Sequence, residues 1–106
     1  MIVRIWHGRT QRERAYAYAA FLAERAIPDY RAVAGNLGVS VLRRDEGEIS
    51  HFLMVTRWAS EEAIRGFAGD DLLKAKYYPE DTDFLLEFEP QVQHYRVLGS
   101  DGDPPV

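Results

Sequence analysis

Three histidines, two tryptophans and a pair of adjacent tyrosines are the residues of this 106-residue chain best suited to move a proton or hold a flat ligand. His7, His51 and His94 each sit in a short run of β-branched and aromatic residues, so each is expected on a strand. An imidazole exchanges its proton near neutral pH, which makes His7 and His51 candidate general bases toward a phenolic hydroxyl. With the first and third strands antiparallel neighbours, these two approach one another, while His94 toward the far end of the last strand lies away from both. A three-histidine metal site is therefore not expected. Plain solvated or hydrogen-bonded strand-end histidines remain the alternative.

Trp6, Phe52, Trp58, Phe67, Tyr77 and Tyr78 carry enough aromatic area to line a cavity between sheet and helices, or to fill it as core. Of the two tyrosines before Pro79, one is expected to point into a pocket and the other to pack, so Tyr77 is a candidate for orienting a substrate and Tyr78 for contacting it. Arg4 and Arg57 interrupt apolar strands. A guanidinium there should meet a carboxylate, with Glu87 and Glu89 as available mates, or an anionic ligand.

The elements that must position these residues follow from spacing. Residues 2–9 read as a first strand, and Thr10 with Glu13 reads as a capping box opening a helix whose apolar positions are Ala15, Tyr18, Ala19, Leu22 and Ala26. Pro28 ends that helix or begins a new turn, and Tyr30, Val33 and Ala34 form a second helical piece before the Gly35–Gly38 turn. Strands over 39–44 and 49–58 flank the polar hairpin loop Asp45–Glu48. Ser60 followed by Glu61 and Glu62 caps a second helix that stops near Gly66–Gly69. A short helical turn is expected over 70–76 and a last strand over 85–98, at an edge or broken at Pro90. The order β-α-β-β-α-β predicts an α+β, ferredoxin-like antiparallel sheet with strand order 4-1-3-2, one domain over 1–98 and a flexible tail over 99–106.

The formal charge of −4 and the absence of clustered basic residues argue against a nucleic-acid partner. With no cysteine there is no disulfide and no thiolate chemistry. The start of the chain has no leader pattern, and no apolar run is long enough to span a bilayer, which points to a cytoplasmic protein without a membrane partner. Strands one, three and four carry apolar residues on both faces, whereas a sheet with one wet face should alternate. A second copy covering the free face is expected, giving a homodimer joined sheet to sheet.

The passage Phe52-Leu53-Met54-Val55-Thr56-Arg57-Trp58-Ala59-Ser60-Glu61-Glu62-Ala63-Ile64, with Phe67, Ala75 and the Gly35-Asn36-Leu37-Gly38 turn, resembles the antibiotic biosynthesis monooxygenase-like proteins over about residues 2–98. The resemblance implies a dimeric α/β barrel. It also implies a monooxygenase-like enzyme without a cofactor, in which a small aromatic or conjugated substrate itself supplies the electrons that reduce oxygen. Trp6, Trp58, Phe67, Tyr78 and Arg57 would then contact substrate, with His7, His51 and Tyr77 catalytic. The haem-degrading members have an Asn on strand one, a Trp on the second helix and an iron-ligating His ten residues on; here Trp6-His7, Phe67 and Tyr77 stand in those places. A non-catalytic barrel that binds a small molecule or serves as a stress-related scaffold is the second reading, and haem binding the third.

Overall fold

The computed structural model describes residues 1–102; the end of the expected tail, 103–106, lies outside the described residues. Four antiparallel strands, β1 (Ile2–Gln11), β2 (Asn36–Glu46), β3 (Ile49–Trp58) and β4 (Gln93–Arg96), lie in the order β2-β3-β1-β4, which is the expected 4-1-3-2 read from the other edge. The helical segments α1 (Ala15–Phe21), α2 (Ile27–Arg31) and α3 (Glu61–Ala68) bring Ala15, Tyr18, Leu22, Ala26, Tyr30, Ile64 and Phe67 into one core with Trp6, Phe52, Met54 and Trp58 of the sheet.

The first helix does not stop at Pro28. Buried Tyr18, Leu22, Ala26 and Tyr30 recur every four residues, longer than the about 3.6 residues of an α-helical turn, so a straight helix would carry them off the sheet. A π turn over Leu22–Ala26, in which the Ile27 amide reaches back to the Leu22 carbonyl, absorbs the drift. The wider turn also eases the clash that Pro28 makes with the preceding turn.

The Thr10–Glu13 capping box does not form. Thr10 is buried in β1, paired with Ser50, and its hydroxyl donates to the Gln11 carbonyl at 2.9 Å. Ser60 does cap α3, accepting the Ala63 amide at 3.2 Å, and Gly69 ends it at φ 85°. The β2–β3 hairpin turns at Gly47, φ 58°. Residues 70–76 form no helix, only a turn closed by the Lys74 amide on the Asp71 carbonyl at 3.1 Å, and a 3-10 helix follows at Pro79–Asp83, held by Asp81. The last strand keeps only Gln93–Arg96 as ladder. Upstream of Pro90 the chain touches β1 through the Leu86 amide on the Arg9 carbonyl, and then crosses to the 73–75 loop, where Ala75 binds the Pro90 carbonyl. Residues 6–8 of β1 are thus left as an open edge beside a segment bearing Glu87 and Glu89.

No helix of the described residues is long and apolar enough to cross a membrane.

Candidate functional site

Alternation along β1 sends Arg4, Trp6, Gly8 and Thr10 to the helix side and Val3, Ile5, His7 and Arg9 to the uncovered side. Register then sorts the rest, since His7 lies opposite Leu53, and His51 stands between Arg9 of β1 and Arg44 of β2. The candidate residues therefore separate: Trp6, Phe52, Trp58, Phe67 and Tyr78 belong to the helix side, His7, His51 and Arg57 to the other.

On the uncovered face His7 and His51 meet in an in-plane hydrogen bond, His7 Nε2 to His51 Nδ1 at 2.9 Å, with ring centroids 5.2 Å apart and planes inclined by 19°. The outer nitrogens bind carboxylates, His7 Nδ1 to Glu89 and His51 Nε2 to Glu46 at 3.0 Å. Ionised carboxylates only accept, so both outer nitrogens carry protons, and the inner pair then needs one proton between two lone pairs. Arg9 binds Glu87 at 2.8 Å and Arg44 stands 3.6 Å from Glu46, completing a charged band across this end of the sheet.

Beside the band His7 and Glu89 line a pocket of about 200 Å³ with Ile5, Leu53, Gln91 and Gln93, at the gap where β4 falls short. Glu46 and Gln91 were not singled out from sequence as site residues, and Glu89 only as a mate for Arg4 or Arg57; their positions depend on how the chain turns at Pro90 and on the hairpin register. Glu87 and Glu89 were expected to pair with Arg4 or Arg57 and instead pair with Arg9 and His7. Arg57 lies over Gly38, where a Cβ would come within 2.2 Å of its guanidinium, and donates to the Leu37 carbonyl at 3.4 Å.

The helix side is closed. Trp58 is fully buried, its indole N–H donating to Thr56 Oγ1 at 2.8 Å, and Trp6 is 5% exposed, its ring packed over Gly8. The space among Trp6, Tyr18, Tyr30, Met54 and Tyr78 is about 10 Å³, room for about one water. Tyr78 is held by its hydroxyl on Asp29 Oδ2 at 2.5 Å, and burial first, then that bond, pushes its phenol far up. His94 sits on this side at 3.5 Å from Arg4; burial and that guanidinium push its pKa down. Among the described residues no group of three or more metal-binding side chains is assembled.

Tyr77 joins the two sides. Its ring meets Trp6 edge-on at 5.9 Å and its hydroxyl donates to the Glu89 carbonyl at 2.5 Å, bracing the backbone whose carboxylate holds His7. Burial first, then the Glu89 charge, pushes the Tyr77 phenol up to about 12. Phe67 stacks on Tyr30 at 4.3 Å and, with Tyr77, borders an open groove beyond α3.

Compared with known families, residues 1–75 match that of antibiotic biosynthesis monooxygenase. The chain belongs to this family. Among solved structures it is similar to a mutant of MhuD crystallised with two manganese protoporphyrin IX molecules per active site, at 19% identity and a TM-score of 0.64 over 97% of this chain and 100% of that one. It is also similar to a Bacillus cereus protein described as an antibiotic biosynthesis monooxygenase, at 17% identity and a TM-score of 0.64 over 96% and 97% of the two chains. At these identities the likeness is one of fold. No curated protein sequence matches the chain.

Proposed function

We propose that the chain is a cofactor-independent monooxygenase-like enzyme for a small aromatic or conjugated substrate, working at the open edge of β1. One arrangement carries the reading: a carboxylate, an imidazole pair and a second carboxylate in one hydrogen-bonded chain, with Glu89 and His7 on the wall of a pocket. Both nitrogens of each imidazole are engaged, so the group free to accept a substrate proton is Glu89, through the oxygen that His7 leaves open. His7 and His51 are positioning residues that hold Glu89 and share its charge. A phenol or enol that loses its proton here becomes an electron-rich anion able to reduce oxygen directly. One oxygen atom enters the ring carbon and the other leaves as water with the two hydrogens the substrate gives up.

The pocket is smaller than the roughly 300 Å³ at which ligand sites usually begin, and it opens on the face that no helix covers. A second copy packed sheet to sheet would complete its wall. Val3, Ile5, Leu42, Leu53 and Tyr95 lie on that face, Leu42 and Tyr95 being 39% and 52% exposed. A homodimer of twice the 12.2 kDa chain mass is the expected species in light scattering.

The test is oxygen uptake with a panel of phenols from catechol to dihydroxyanthracene. Uptake is expected with at least one, and Glu89→Gln should lower turnover by about a hundredfold, the usual contribution of a positioned base. No uptake with any, or full activity in Glu89→Gln, removes the enzymatic reading. The closed aromatic interior favours the second one, a non-catalytic dimer that binds a small molecule in the same pocket, and under it phenols stabilise the protein without uptake.

Haem does not fit this chain. The space between sheet and helices is about 10 Å³, and the groove beside Phe67 and Tyr77 has neither imidazole nor thiolate on its lining. Tyr77 would have to give up both a proton held to about pH 12 and its bond to Glu89 to become a ligand.

A further inference from the structure

The gap that the short last strand leaves beside His7 holds a second kind of polar group besides the Glu89 carboxylate. β4 pairs with β1 through Ile5–Gln93 and Val3–Tyr95, and its ladder begins at Gln93. The Gln93 and Tyr95 side chains therefore stand on the uncovered face with Val3, Ile5 and His7. The Tyr95 hydroxyl donates to Gln93 Oε1 at 2.7 Å, and Gln93 lines the pocket together with Glu89. That bond orients the carboxamide: its oxygen is turned to Tyr95, which leaves the NH2 group, a donor only, for a ligand. Gln91, on the same wall, has no side-chain bond among the described residues to turn it either way.

The pocket thus offers one acceptor and one oriented donor, with Ile5 and Leu53 as an aliphatic floor. A ligand that brings only a hydroxyl satisfies Glu89 and covers the Gln93 donor with apolar surface, and a covered donor without a partner costs affinity. A ligand that also carries a carbonyl oxygen satisfies both.

We propose that Gln93 is the specificity-determining residue of this pocket and selects hydroxyaryl ketones and comparable carbonyl-bearing enols, with the hydroxyl on Glu89 and the carbonyl oxygen on the Gln93 amide. Tyr95 is a positioning residue that keeps the amide turned. The assignment rests on the proton-accepting role given above to Glu89 and names the second contact that such a substrate makes.

The experiment measures binding by titration calorimetry on the full chain under argon, where no oxidation consumes the ligand. The probes are 3- and 4-hydroxyacetophenone, each compared with the isopropylphenol of the same substitution, which keeps the shape and lacks the carbonyl oxygen. At least one ketone should bind about five- to tenfold more tightly than its isopropyl counterpart. The acetyl group also makes the phenol more acidic, so the variants separate that contribution from the contact. Gln93→Met should reduce the preference to about twofold or less and leave isopropylphenol binding unchanged. Tyr95→Phe should lower the preference by about half, again without effect on isopropylphenol, an outcome that a role in strand stability alone would not produce.

No preference in the wild type, or one that persists in Gln93→Met, overturns the assignment, and Glu89→Gln tells whether the reading beneath it survives, by weakening all four phenols. A preference abolished by Gln93→Met in a protein that takes up no oxygen supports the Gln93 contact and removes the enzyme. Absence of binding by all four phenols overturns both.

Discussion

Removing one oxygen atom from the core examines the support beneath the Tyr77–Tyr78 bend. Tyr18 is fully buried and its hydroxyl donates to Asp81 Oδ1 at 2.9 Å, while the Tyr78 amide donates to Asp81 Oδ2 at 2.7 Å. These bonds hold the 3-10 turn that follows both tyrosines. Tyr18→Phe keeps the ring against Phe52 and Phe84 and opens no cavity, so its cost is the lost bond to a buried carboxylate, about 1.5–3 kcal/mol.

The cost depends on pH with a definite sign. Burial raises the Asp81 pKa above the ordinary 3.8, although the Tyr78 and Tyr18 bonds pull it back. A group whose pKa is raised on folding contributes stability that is fully present below the unfolded value and is lost as pH rises through the folded one. Taking away Tyr18 raises the folded value further and enlarges that loss. Urea denaturation should therefore show about 2–3 kcal/mol lost at about pH 7 and nearer about 1 kcal/mol at about pH 3, below both the ordinary carboxylate value and the raised folded one. In an Asp81→Asn background the same change should cost about 1 kcal/mol at both. A loss below about 0.5 kcal/mol at neutral pH, or one equal at both pH values, refutes the account of a buried, bond-stabilised carboxylate.

Three further outcomes follow from contacts. A Cβ on Gly8 would lie 2.5 Å from Trp6 Cη2 and 3.0 Å from Leu85 Cδ2, so Gly8→Ala should cost about 1–3 kcal/mol in denaturant titration, whereas Gly66→Ala inside α3, meeting Val33 at an ordinary 3.6 Å, should gain about 0.5–1 kcal/mol. Spectrophotometric titration should find Tyr77 ionising near pH 12, seen as a missing step in Tyr77→Phe, and an added step near pH 10 would contradict its burial. Haemin at stoichiometric ratio should produce no shifted Soret band; a shifted band that survives in Tyr77→Phe would show an iron ligand that the fold does not reveal.

The parts of the fold that were legible are the ones written locally. Ser60 with Glu61 and Glu62 specifies a helix start through bonds made within four residues, and Gly47 in a polar loop specifies a hairpin. Thr10 misleads because the same residue type that caps a helix also fits a buried strand position, and β1–β3 pairing through Thr10–Ser50 and Gln11–Ile49 wins over the local signal. The π turn was present in the four-residue spacing of Tyr18, Leu22, Ala26 and Tyr30, but spacing alone does not say how a helix takes up the mismatch.

At the site, strand order and direction were enough to bring His7 toward His51. They were also enough to place Trp6 and His7, adjacent in β1, on opposite faces, and a reading that gave both to one ligand overlooked that alternation. The partners of the histidines were not legible: Glu89 reaches His7 across 82 positions of sequence, along a segment whose path is set by Pro90 and by the bonds of residues 73–75.

The closed hydrogen bonding of the histidine chain bears on what can cover the sheet. An imidazole pair would resist burial beneath a second copy if any nitrogen were left without a partner, at a cost of about 1–3 kcal/mol for each unpaired polar group. Here all four nitrogens are engaged within one chain, and Arg9 and Arg44 neutralise the neighbouring carboxylates Glu87 and Glu46. A facing subunit then needs to supply only apolar contact to Val3, Ile5, Leu42 and Leu53. The same closure engages only one oxygen of Glu89, which lines the pocket beside Gln91, so under the proposed reading the face can be buried while an acceptor for a substrate hydroxyl is kept.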